Sequence, residues 1–114
     1  MGVEAITVVP GGSDIAAAMQ KIADALAAEG RLGYVIPGGG SNALGGLGYF
    51  AGAQELQQQL FEQSLHIDRV VVGSGSSGTH GGMVAAFLAN RINITLTGIG
   101  VSRDPEDQVP LVRT

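Results

Sequence analysis

Two rhythms of apolar and polar residues alternate along the chain. The β-branched run at residues 5–9 (AITVV), closed by Pro10-Gly11-Gly12, predicts a buried strand and a turn. Ser13 or Asp14 then caps a helix in which Ile15, Met19, Ile22 and Leu26 form one narrow apolar stripe, and Gly30 supplies the stop. Tyr34-Val35-Ile36 predicts a second strand, ended by Pro37 and a triple glycine. From about 47 to 65 the pattern is helical again, with Leu56 and Leu60 inward and three consecutive glutamines outward. Residues 68–72 (DRVVV) predict a third strand that runs into GSGSSGT, residues 80–90 an apolar helix ending at Asn90, and residues 92–99 (INITLTGI) a fourth strand. The last stretch, SRDPEDQVPLVRT, is polar and broken by Pro105 and Pro110, and no helix is predicted there.

The order β-α-β-α-β-α-β with short connections is the mark of βαβ units on a parallel sheet. It predicts an α/β fold, a three-layer sandwich forming part of a larger fold, with residues 1–114 as one α/β unit. There is no repeat of fixed period, although two units of strand, glycine loop and helix recur about 35 residues apart.

Composition changes this picture at one point. With 45% hydrophobic and 14% charged residues, the chain carries enough apolar surface to fold, and without cysteine it does so without disulfides. A net charge of −4 with no basic run excludes nucleic acid as a partner, and no apolar stretch is long enough to span a membrane. With no secretory signal pattern at the amino terminus, the expected location is cytoplasmic. Glycine is the exception: 19 of 114 residues is about 17% against a usual ~7%. Seven glycines fall in residues 38–52 and five in 73–82, so two loops carry the excess.

Both loops lie where ligands bind in open parallel sheets, beyond the carboxyl ends of strands and before helix N-termini. GSGSSGT at 73–79 combines small residues, four hydroxyls and the start of a helix, which suits an anion such as phosphate. It is not a Walker A loop, because no lysine follows the last glycine. Gly73, Gly75 and Gly78 satisfy the dinucleotide fingerprint, but the strand that should end in an acidic residue ends in Gly-Val-Ser before Asp104. The loop PGGGSNALGGLG at 37–48 repeats the design with Ser41 and Asn42, either of which can instead simply cap the following helix. His80, beside the first loop, could feel a bound phosphate, although a histidine in a first helical turn is more often just solvated. No cluster has metal-ligand spacing, and no serine has the G-x-S-x-G context of a hydrolase. Lys21, the sole lysine, lies about 130° from the centre of its helix's apolar stripe at ~100° per residue, on the outward face.

Taken together, YVIPGGGSNALGGLGY, VVVGSGSSGTHGG and TGIGVSRDPEDQVP resemble the D-cysteine desulfhydrase and 1-aminocyclopropane-1-carboxylate deaminase family, pyridoxal-phosphate enzymes of the tryptophan-synthase-β fold type. The likeness runs from about residue 5 to the end, with three motifs in order. It implies pyridoxal 5′-phosphate as cofactor, held at its phosphate by Gly75, Ser76, Ser77, Gly78 and Thr79, and an active-site wall at Ser41, Asn42 and Gly45. The SNALG wording leans to the desulfhydrase branch, which converts D-cysteine to pyruvate, ammonia and sulfide; deaminase and L-cysteate sulfo-lyase activities remain open, as does a non-enzymatic flavodoxin-like module binding phosphate or a nucleotide.

Only the middle third of such an enzyme is matched, which implies a fragment or an excised half-domain. The family's Schiff-base lysine segment has no counterpart here, so no catalytic residue is assigned and the chain alone is expected to be silent. The resemblance further implies that residues 1–30 derive from the smaller domain and residues 31–114 from the cofactor-binding core. A homo-oligomer or a self-associating fragment is expected from the apolar area such a piece exposes.

Overall fold

A computed structural model describes residues 2–113. Met1 and Thr114, the ends of the predicted unit, lie outside the described residues. Two compact units divide the chain after Pro37.

The first unit is built around helix α1 (Ile15–Ala28). Asp14 begins it by accepting from the Ala17 amide at 3.0 Å. Gly30, at φ 77°, ends it in a Schellman motif: its own amide donates to the Ala27 carbonyl at 3.0 Å and that of Arg31 to Leu26 at 2.9 Å. The chain then runs back along the helix, where Gly33 is close-packed: a Cβ would lie 3.1 Å from Ala23 Cα. Arg31 grips Glu4 in a two-pronged ion pair, 2.7 Å at its shorter arm, and both side chains are exposed enough for solvent to screen it.

The second unit holds the rest: α2 (Ala43–Glu62), β1 (Arg69–Ser74), α3 (Gly78–Ala89), β2 (Thr95–Gly100) and α4 (Pro105–Arg113). β1 and β2 pair in parallel, from Arg69 opposite Thr95 to Ser74 opposite Gly100, with α3 as their crossover. Helix α3 also packs on α2 and α4. Ala53, Ala86 and Phe87 are buried, and Phe50, Val70, Met83, Ile92, Ile94 and Leu96 close around them. Small residues let α2 and α3 approach: a Cβ on Gly82 would strike the Gly46 carbonyl and lie 2.9 Å from Tyr49 Cβ. Both α2 and α3 end in Schellman motifs like that of α1, through Ser64 and Arg91 at φ 52°.

The α/β class and the parallel sheet agree with the sequence, but among the described residues the sheet has two strands rather than the four predicted. Residues 5–9 and 34–36 form no ladder. Apolar β-branched runs become strands only when another backbone takes up their amides and carbonyls, and neither run has such a partner in its own unit. The three-layer sandwich and its seven-element order are therefore not the observed architecture.

The second correction is the tail, where Pro105 starts α4 instead of breaking it. Proline is suited to a first helical position, Glu106 and Asp107 oppose the positive end of the helix, and Arg113 sits at its negative end. Helix α2 also begins earlier than predicted, at Ala43 rather than about Leu47, because the Asn42 side chain accepts from the Gly45 amide at 2.8 Å. Among the described residues no helix is long and apolar enough to cross a membrane.

Candidate functional site

The site is assembled at the carboxyl end of β1. Ser74, the last residue of that strand, is buried, and the chain turns through Gly75 and Ser76 to Ser77, which adopts φ 80° and ψ −18°. A left-handed conformation is uncommon for serine and needs support from its surroundings. Ser77 is the N-cap residue of α3, yet its side chain makes no capping bond to that helix. Its hydroxyl instead accepts from the Gln108 amide group at 2.9 Å, and the same Gln108 nitrogen donates to Ser74 Oγ at 3.0 Å. Ser77 thus does not itself cap the amides at the start of α3, an arrangement that favours an anion there.

The glycine-rich segment at 38–40 packs directly against this loop. Gly39 and Gly40 take φ 68° and 62°, and a Cβ on Gly39 would collide with the Ser76 side chain. Ser41 Oγ accepts from the Gly78 amide at 3.2 Å, and a Cβ on Gly78 would lie 2.9 Å from that oxygen. Gly45 has the Gly40 carbonyl where a Cβ would go. The fold therefore brings the two predicted clusters, 75–79 and 41–45, into contact, and it divides the labour between Ser41 and Asn42. Ser41 binds the other loop, whereas Asn42 caps α2.

A cleft of about 790 Å³ opens beside both helix starts, with Ser41, Ser76, Ser77 and Gly78 on its polar side and Phe50 and Leu111 among its apolar residues. Arg113 borders it, and no carboxylate does among the described residues. Amides at a helix start that Ser77 does not cap, serine hydroxyls and the Arg113 cation form a donor set matched to a phosphate. Pyridoxal phosphate fits that chemistry.

Arg103, Val101 and Gln108 were not legible as site residues, and His80 was noted only as a candidate. Arg103 donates to the Gly75 carbonyl at 2.8 Å and so ties the loop to the segment after β2. The Val101 amide donates to the Ser74 carbonyl at 3.2 Å, and a Cβ on Gly75 would lie 3.1 Å from the Val101 side chain. His80 is half-buried rather than solvated: its Nδ1 lies 3.1 Å from Ser74 Oγ, and Gly98 leaves the space its ring occupies. Burial holds its imidazole below the ordinary value of 6.5 by disfavouring the charged form. Gln108 is 5% exposed, and its Oε1 is buried with no hydrogen-bond partner, a defect that typically costs about 1–3 kcal/mol. Pro105 followed by two acids was the available signal for a helix there, but nothing in the sequence pointed Gln108 at the loop.

A β-strand, a glycine-rich loop and a helix N-terminus beside a cleft thus come together on an α/β scaffold in an arrangement suited to an anion. Residues 1–113 match the family described as pyridoxal-phosphate dependent enzyme, and the chain belongs to that family. It is 45% identical over 100 residues to a D-cysteine desulfhydrase of Klebsiella pneumoniae subsp. pneumoniae, a match covering 88% of this chain and 30% of that protein. The chain thus spans about a third of the length of that relative.

Proposed function

We propose that this chain supplies the cofactor-phosphate seat of a pyridoxal-phosphate-dependent lyase that converts D-cysteine to pyruvate, ammonia and sulfide. The observation that carries the reading is the start of α3, where Ser77 withholds its hydroxyl from the helix beside a cleft that no carboxylate lines among the described residues. Pyridoxal phosphate, when bound, supplies an electron sink for negative charge developed on the substrate. The protein's part is binding and orientation. Gly75, Ser76, Ser77, Gly78 and Thr79 hold the phosphate through their backbone amides and the hydroxyls of Ser76 and Thr79, while Ser41, Asn42 and Gly45 form a wall of the active site. The desulfhydrase relative favours D-cysteine over the cyclopropane acid or cysteate as substrate.

In the longer protein, the runs 5–9 and 34–36 join the sheet as further strands, which the apolar β-branched sequence favours. Lys21, the only lysine in these residues, is exposed on α1. The chain by itself is accordingly inactive, and a lysine from the remainder of the protein engages the cofactor.

The test compares a full-length protein containing this chain with the 114-residue chain, each incubated with pyridoxal phosphate and D-cysteine. Sulfide and pyruvate appearing in equal amounts from the longer protein, and only the free-cofactor background from the chain, is the expected result. Turnover of the cyclopropane acid or cysteate in preference to D-cysteine would replace the substrate assignment. No turnover of any of the three would remove the lyase.

A further inference from the structure

We infer that Gln108 is a positioning residue that makes the α3 N-terminus competent for an anion, by clamping Ser77 in its left-handed conformation; this rests on the phosphate-seat reading above. Three features of the described residues converge on it. Gln108 comes from α4 and reaches across to the end of β1 and the start of α3, so one side chain joins three elements. Its nitrogen meets Ser74 Oγ and Ser77 Oγ at 3.0 and 2.9 Å, and both serines are buried. Meanwhile Oε1 stays buried without a partner, so the amide keeps the bridge at the expense of its own second half.

The chemistry explains why such a bridge matters to an anion site. An N-cap serine in extended backbone normally turns its oxygen onto the first amides of its helix, which occupies the donors a phosphate would need. Ser77 is prevented from doing so twice over, by its φ of 80° and by the bond that draws its hydroxyl to Gln108. Removing the bridge lets Ser77 relax into the self-capping conformation and closes the seat. The bridge does not depend on which way the amide is turned, because serine hydroxyls can donate as well as accept.

The experiment uses the 114-residue chain, Gln108→Met, which keeps length without the amide, and the double variant Gln108→Met with Ser77→Gly. Coupling constants report φ at residue 77 without ligand, and a titration with inorganic phosphate reports affinity. The expected result is positive φ in the unmodified chain, its loss in Gln108→Met with at least a tenfold weaker phosphate affinity, and recovery of most of that affinity in the double variant. Recovery is expected because glycine takes left-handed backbone without support. A purely packing role for Gln108 would lower the melting temperature of both variants and give no recovery. Unchanged φ at Ser77 in Gln108→Met would overturn the clamp while leaving the phosphate seat standing. Positive φ in an unmodified chain that binds no phosphate would defeat the seat and the purpose assigned to the clamp.

Discussion

Ser77, Ser74 and His80 form a small polar core where most strand ends have only a turn, and their environments make residue-level predictions. Because burial holds His80 below its ordinary 6.5, the unfolded chain takes up that proton at higher pH than the folded one. Its contribution to stability is therefore complete above about pH 6.5 and is lost as pH falls toward the folded value. A urea midpoint that drops between about pH 7.5 and about pH 5, and drops less in His80→Asn, is expected; equal drops in both proteins would show that His80 does not carry the effect. Gly78→Ala places a methyl group 2.9 Å from Ser41 Oγ, so the contact between the two loops must open. Destabilisation of about 1–3 kcal/mol in denaturant melts is expected from such overpacking. The loop was legible in the sequence because glycine spacing and hydroxyl content are local signals. Gln108 was not, because its role depends on α4 folding back over residues 31 to 34 positions earlier in the chain.

Helices and strands differ in how much of themselves they declare. α1 could be read from an apolar stripe, a cap and a stop, and α3 from an apolar run ending at Asn90, all of them local signals. β1 and β2 form because each finds the other, whereas the equally apolar runs at 5–9 and 34–36 find no ladder within their own unit. Tertiary packing also explains the glycines inside helices, which local propensity counts as a penalty. Gly82 is where α3 meets the Gly46 carbonyl on α2, so Gly82→Ala should improve helix propensity and still destabilise the fold by about 2 kcal/mol. Thermal melts of that variant beside Gly52→Ala, where nothing lies within 4 Å of the added carbon, separate the two effects. Equal or opposite shifts would mean that the helix contact is looser than described.

At the scale of the molecule, the buried hydrophobic set of Ala53, Ala86 and Phe87 is small, and large apolar side chains such as Val71, Leu88 and Ile99 remain exposed on the second unit. Such surface favours association, so sedimentation should show species heavier than the 11.5 kDa chain as concentration rises; a monomer across the whole range would contradict that expectation. Anion binding at the start of α3 is tested most directly by backbone amide shifts of the chain titrated with pyridoxal 5′-phosphate and with unphosphorylated pyridoxal. Saturable shifts centred on Gly75 to Thr79, matched by inorganic phosphate and absent with pyridoxal, are the predicted result. Shifts of equal size with pyridoxal, or shifts centred elsewhere while 75–79 stay still, would contradict it.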